Sequence, residues 1–354
     1  MILIRNCGPV RLAMVLCVAF LMLTVSCSKT ATLNEIAYAV PEKLKLRSST
    51  AQASRVIGEL KTGDRITIIG RIKSEDGTPW VNIKSAEGLT GWAESRYFVK
   101  EEIVNKSRQM AEEIRGIPTQ GLGKSKATLK LRLTPDRTND ENVATTLPSG
   151  TALEIVARDR KPRPASIDAK SDAKSEGGQA SGQSGKGADA DVKYDSWFQV
   201  RLKDYAVLPA GWIYGGSVEL DVPGEIIYFV STGRKIMGWQ KLGTVQGDDN
   251  RSGEHYLVME RKAFGADERA DFDRIKVLAY DPATRNYNTP FRDEVLGRFP
   301  VKLEMNGQQG KFTVSVIGKD DQKQEVEYAV ELLSGGKVKV TKPNLPKPAK
   351  KGKK

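Results

Sequence analysis

A four-residue phrase written twice constrains this chain more than anything else in it. Leu44-Lys45-Leu46-Arg47 recurs as Leu129-Lys130-Leu131-Arg132, and further landmarks follow each copy in the same order. After the first come Leu60-Lys61-Thr62-Gly63, the run Arg65-Ile66-Thr67-Ile68-Ile69, Trp80-Val81-Asn82-Ile83 and Gly91-Trp92-Ala93. After the second come Leu147-Pro148-Ser149-Gly150, Ala152-Leu153-Glu154-Ile155-Val156, Trp197-Phe198-Gln199-Val200 and Gly211-Trp212-Ile213. Landmarks repeated in order mark an internal duplication, so the chain divides into similar units. Within each copy, short runs of alternating apolar and polar residues are broken by turns that contain glycine. Half-buried strands at that spacing predict a small antiparallel barrel or sandwich.

Both copies resemble bacterial SH3 (SH3b) domains. That family shows a leucine-rich opening strand, a Leu-x-x-Gly turn feeding a valine or isoleucine strand, then a tryptophan strand and a Gly-Trp pair. The resemblance implies two strongly bent antiparallel barrels of about five or six strands each, at 36–100 and 126–222. It also implies recognition of wall peptides or protein segments, often through aromatic grooves. Two departures mark the second copy. Leu147-Pro148-Ser149-Gly150 reads as a looser turn, and an insertion at 158–194 interrupts the barrel. With Gly177-Gly178, Ser181-Gly182, Ser184-Gly185 and Lys186-Gly187, and no aromatic before Tyr194, the insertion cannot bury enough apolar area to offset its ordering entropy. It is predicted to be disordered.

Residues 101–125 join the copies. From Glu101 to Arg115 there is no glycine or proline, acids stand early and an arginine late, which predicts a helix with its dipole complemented. Gly116, Pro118, Gly121 and Gly123 then predict a flexible link. A third unit, 225–343, holds Ile226-Ile227-Tyr228-Phe229-Val230, His255-Tyr256-Leu257-Val258-Met259, Phe312-Thr313-Val314-Ser315-Val316 and Val326-Glu327-Tyr328-Ala329-Val330. Such runs predict an antiparallel sheet or sandwich with one wet face. The fold class expected for the whole chain is mainly β.

Before the first copy, Arg5 and Arg11 precede an apolar stretch from Leu12 to Ser26, short of the roughly 20 residues that cross a bilayer. A basic start, an apolar middle and small residues at the break are the pattern of a secretory signal. The stretch ends in Leu23-Thr24-Val25-Ser26-Cys27, which resembles the lipobox of bacterial lipoproteins, although Thr24 stands where that family prefers leucine. The resemblance implies cleavage after residue 26, a diacylglycerol thioether on Cys27, an acyl chain such as palmitate on its amino group, and a tether over 27–35. An ordinary secretory signal with a nearby cysteine is the other reading. Ser28 resembles the sorting pattern for the outer membrane of diderm bacteria, facing the periplasm.

The formal charge of +12 falls to +10 when Arg5 and Arg11 leave with the signal (12 − 2). For an exported protein this balance points away from nucleic acid and toward envelope anions. From Lys337 onward there are lysines and no acids, and 344–354 predicts a basic tail able to contact an anionic surface. Cys7 and Cys17 would leave and Cys27 would be alkylated, which removes thiol chemistry, disulfides and thiolate metal sites. The one histidine, His255, reads as a strand residue. There is no Gly-x-Ser-x-Gly turn and no Walker loop, and the adjacent acids Asp248-Asp249 and Asp320-Asp321 read as turn residues. No enzyme, cofactor or metal is expected.

Aromatic side chains remain as instruments of binding. Trp80 and Trp197 open apolar strands and are expected in the core. Trp92 and Trp212 follow glycine and are expected half exposed, with Tyr97 and Tyr214 nearby. These four are the candidate ligand-binding residues, suited to a polar peptide through stacking and cation–π contacts of ~0.5–2 kcal/mol each. The expected role is that of a lipid-anchored, non-catalytic envelope protein that binds wall peptides or scaffolds other proteins. The alternative is an accessory subunit docking a wall hydrolase or secretion component, with the barrels as spacers.

Overall fold

A computed structural model describes residues 34–51, 53–163, 194–247, 252–318 and 320–342. The signal, Cys27, Asp248-Asp249, the basic tail and most of the insertion lie outside the described residues.

The first unit is one antiparallel sheet bent onto itself. Its strands are β1 (Glu35–Ala39), β2 (Lys43–Arg47), β3 (Val56–Lys61), β4 (Arg65–Lys73), β5 (Pro79–Ser85), β6 (Thr90–Glu94) and β7 (Phe98–Lys100). They run side by side in the order β3-β2-β6-β5-β4-β1-β7. Alternation works as it should: in β2, Leu44 and Leu46 are buried and Lys43 and Lys45 exposed. Leu44, Leu46, Leu60, Ile66, Ile68, Val81 and Ile83 make one core.

The second unit repeats this arrangement strand for strand. It consists of β8 (Gly121–Ser125), β9 (Leu129–Arg132), β10 (Val143–Leu147), β11 (Ala152–Pro162), β12 (Tyr194–Arg201), β13 (Ala210–Tyr214) and β14 (Val218–Leu220), in the order β10-β9-β13-β12-β11-β8-β14. The two Gly-Trp pairs have one physical cause. A Cβ on Gly91 would stand 2.8 Å from Ile57 Cδ1 and 3.2 Å from the Arg47 carbonyl oxygen; on Gly211 it would stand 2.6 Å from Leu131 Cδ1. Only glycine lets β6 and β13 lie so close to β2 and β9.

Three sequence expectations need correction here. The turn at 147–150 is not looser than its counterpart: Gly63 has φ +88 and Gly150 φ +81, and each donates its N–H to a carbonyl on the first strand of its unit, Ala39 and Ser125, at 2.8 Å. Gly121 to Ser125 is not a flexible link but strand β8. Its glycines serve close packing, since a Cβ on Gly123 would meet the Glu219 carbonyl oxygen at 2.9 Å. The insertion begins later than 158, because β11 runs to Pro162 and pairs with β12 as far as Tyr194.

Between the units stands helix α1 (Glu101–Glu113). Glu101 and Glu102 in its first turn complement the helix dipole. At its far end, Arg201 donates to the carbonyls of Ile114 (3.2 Å) and Arg115 (3.4 Å), satisfying acceptors the helix leaves open. The inner face of α1 buries Val104 in the second unit's core together with Val99 from β7. Burial of a valine contributes about 1.5–3 kcal/mol, so α1 is a docked strut. Ser107 adds a buried exchange, donating to the Ala210 carbonyl (2.6 Å) and accepting from its N–H (3.2 Å).

The third unit starts differently from expectation. Ile226 to Val230 is not a strand: Gly224–Ile227 forms one helical turn that buries Ile226. Then follow two four-stranded antiparallel meanders. One comprises β15 (Arg234–Gln246), β16 (Ser252–Lys262), β17 (Arg274–Asp281) and β18 (Asn286–Asp293). The other comprises β19 (Gly297–Asn306), β20 (Gln309–Ile317), β21 (Lys323–Leu333) and β22 (Lys337–Thr341). A single core draws from both sheets, with Leu257, Phe272 and Val277 facing Phe312, Val326 and Tyr328. In β21, Val326, Tyr328 and Val330 are buried while Glu325 and Glu327 are exposed. The Tyr328 ring stacks on Phe312 at 4.7 Å, and its hydroxyl donates to Asp293 at 2.8 Å.

Candidate functional site

The first unit carries an open groove of about 350 Å³ across β2, β5 and the turn after β6. Pro41, Leu44 and Ala93 form its floor, and Trp80 and Tyr97 form aromatic walls. Arg47, Lys43 and Lys45 bring positive charge to it, Glu59 and Glu94 negative charge. Trp80 stands opposite Glu94 in the β5–β6 ladder, which places an aromatic face beside a carboxylate. Arg96 lies over the Tyr97 ring at 5.0 Å and pairs with Glu94 at 2.7 Å, tying the turn Ser95–Tyr97 back to β6. Such a groove can hold an extended peptide by stacking while pairing both of its charges. A wider hollow of about 510 Å³ lies between α1 and the loop 133–142, but no aromatic side chain lines it.

Trp80, expected in the core, is half-buried and lines the groove. Trp92 is also half-buried but does not line it. Its neighbours Gly91 and Ala93 point into the barrel, so Trp92 stands on the outer face of the sheet with Trp80 and Glu94, across from Arg47 and Asn82. Of the candidate pair Trp92 and Tyr97, the groove lining holds Tyr97, and Trp80 stands with it.

In the second unit the equivalent surface is occupied by the chain itself. Trp197, the counterpart of Trp80, is 1% exposed. Its register partner is Tyr214, where the first unit has Glu94, so Tyr214 and Tyr97 are not equivalent positions. The two rings meet edge to face at 6.0 Å. Over Tyr214 lies Arg137, 4.6 Å from the ring centre, with its fork on Asp195 at 2.5 and 2.7 Å. Arg137 is presented by a stapled loop. Arg132 donates to the Asn139 carbonyl and to Asn142 and Asp140, and Asn142 donates to Thr134. Hydrogen bonds from Lys130 and Arg132 hold the Asp140 carboxyl below its ordinary range. Trp212 repeats Trp92: half-buried, across from Arg132, apart from the Trp197–Tyr214 pair.

His255 is 2% exposed inside β16, and its Nδ1 accepts the Tyr280 N–H at 3.1 Å. Asp321 belongs to a turn and pairs with Arg269 at 2.6 Å. Among the described residues no group of three or more His, Cys, Asp or Glu side chains is placed to hold a metal ion, and no helix is long and apolar enough to cross a membrane.

No curated protein matches the chain. Among solved structures it is similar to the structure of NlpC2 from Trichomonas vaginalis at 11% identity, over 55% of this chain and 52% of that one, with a TM-score of 0.16. The chain thus spans about half of that neighbour, and a likeness at that score carries no argument about fold or activity. Residues 42–99 match the family described as bacterial SH3 domain, so the groove between Trp80 and Tyr97 lies in a bacterial SH3 domain.

Proposed function

We propose that this chain is a non-catalytic protein of the bacterial envelope, held at a membrane through acylated Cys27, whose SH3 domain at 42–99 grips a short cell-wall peptide in the groove of Trp80 and Tyr97. The observation that carries the reading is the contrast between two equivalent tryptophans. Trp80 stands open in a groove that offers charges of both signs, while Trp197 is shut behind Tyr214 and Arg137. Wall peptides are zwitterionic, with free carboxylates and amines, and suit a groove that presents Arg47 and Lys45 as well as Glu59 and Glu94. The second unit is read as a further SH3 copy that has exchanged binding for structure, a wedge between the first unit and the C-terminal sheets. His255 supports the non-catalytic reading, since its Nδ1 serves a backbone N–H inside a strand.

Co-sedimentation of the full chain with purified peptidoglycan tests the binding role. The expected result is binding that Trp80→Ala weakens about tenfold. Failure to sediment, with a Trp80-dependent contact to another envelope protein in its place, would replace wall binding by the accessory-subunit reading. Mass spectrometry of the native protein tests the anchor: the expected amino terminus is Cys27 carrying diacylglycerol and an acyl chain. An intact Met1 with a free Cys27 thiol would remove it.

A further inference from the structure

Where the second unit meets the C-terminal sheets, four cations gather around an exposed carboxylate. Arg158 and Arg160 project from one face of β11, and Lys235 and Arg261 stand directly opposite each other in the β15–β16 ladder. Like charges in register are unfavourable in a ladder unless something lies between them. Glu268, 64% exposed in the loop after β16, receives Arg160 at 2.6 Å and Arg261 at 2.9 Å. Asp271 is the other carboxylate that reaches the group, 3.7 Å from Arg158. Neighbouring Asp267 is held at 2.6 Å by Arg269, which it shares with Asp321, and Arg261 also acts on it. Four cations thus face the side chains of Glu268 and Asp271 directly, with Asp267 at the edge of the group.

A second observation is independent of the count. Arg261 is 6% exposed, and among the described residues its buried Nε has no hydrogen-bond partner. Orphaned buried donors are rare and costly, the more so on a cation. Nothing comparable occurs in the neighbouring buried network, where Glu260 takes Lys276 at 2.6 Å and Arg274 at 3.6 Å.

We propose that this junction is a binding site for a phosphate group, in which the Glu268 carboxylate occupies the place of the incoming anion and is displaced by it. Guanidinium forks match phosphate oxygens in pairs, and three of them with one ammonium form a cradle of the usual kind. Glu268 is suited to be the stand-in because it is the exposed member of the group and sits on a loop. The local field agrees: burial, with Arg160 and Arg261 adding to it, pulls Arg158 down to about 10, and burial with the same arginines lowers Lys235. Burial meanwhile holds the Asp271 carboxyl above its ordinary range despite Arg158 beside it.

The test is calorimetric titration of the full chain with inorganic phosphate at constant ionic strength, with thermal unfolding followed in parallel. The expected result is saturable binding with a Kd of about 1 mM or tighter. Glu268→Gln should tighten it about tenfold by removing the internal competitor, and Lys235→Gln should weaken it by a similar factor. A parallel titration with glycerophosphoglycerol, the soluble headgroup of phosphatidylglycerol, assigns the source: tighter than inorganic phosphate means a lipid headgroup, weaker means the free ion. Absence of saturable phosphate binding in both the wild-type chain and folded Glu268→Gln would overturn the site. Should Glu268→Gln fail to fold, unchanged phosphate binding in Lys235→Gln, a change at an exposed position, would overturn it as well.

Discussion

Arg137 lies over Tyr214, its guanidinium carbon 4.6 Å from the ring centre, and closes in the second unit the surface that stays open around Trp80 in the first. One loop makes the difference. Residues 133–142 carry Arg137 across the barrel end to Asp195, which is 1% exposed and also receives Arg163 at 3.2 Å.

Arg137→Ala should therefore destabilise the second unit. It removes a bidentate partner from a buried carboxylate, a loss of about 2–3 kcal/mol with Arg163 still in place. Denaturant unfolding checks this, as a lower midpoint with an unchanged slope. Arg137→Lys should recover only part, because an ammonium cannot reproduce the fork on Asp195.

Gln120 joins the second unit to the C-terminal sheets. Its side chain accepts the Val301 N–H at 2.8 Å and donates to the Val301 carbonyl at 2.9 Å, while its own carbonyl takes the Trp239 N–H at 2.8 Å. Gln120→Ala leaves the buried Val301 N–H unpaired, since Gln240 also reaches the Val301 carbonyl but not its N–H. The expected cost is about 1–3 kcal/mol. Hydrogen exchange at Val301 and Trp239 should rise before exchange in β20 and β21, because the junction loosens first.

A pH effect follows from His255. Burial pushes its imidazole below the ordinary value of 6.5, and the neutral ring is needed to accept the Tyr280 N–H. The unfolded chain then binds the proton more readily than the folded one. This contribution to stability is complete above 6.5 and is lost as pH falls below that value toward the depressed one. Unfolding at pH 7.5 and pH 5.5 should show a loss at the lower pH, and His255→Gln should flatten the difference, since the chain has one histidine.

Much of the architecture was legible in the residues. The doubled Leu-Lys-Leu-Arg phrase and the two Gly-Trp pairs fall on equivalent strands because each landmark meets the same local need: alternation for burial, or a missing Cβ where strands approach. What escaped was decided by residues far apart in sequence. Trp80 and Trp197 open equivalent strands with similar neighbours, yet one is open and one shut, because the chain closes the second with Arg137 and Asp195. Gly121 and Gly123 read as a flexible link, but they are glycines so that Trp239 and β14 can lie against β8. Ile226 to Val230 had the apolar content of a strand, but Pro223 and Gly224 start a helical turn that buries Ile226 alone. Following glycine places Trp92 on the same outer face as Trp80 and Glu94, yet the groove is lined by Trp80 and Tyr97 and not by Trp92.

The most direct test of the account compares Trp80→Ala with Trp92→Ala in calorimetric titrations of the full chain with soluble peptides released from purified peptidoglycan. Trp80→Ala should weaken binding about tenfold, near 1.4 kcal/mol, and Trp92→Ala should leave it within about twofold of the wild-type chain. Equal binding by wild type and Trp80→Ala, or a loss confined to Trp92→Ala, would contradict the placement of the ligand between Trp80 and Tyr97.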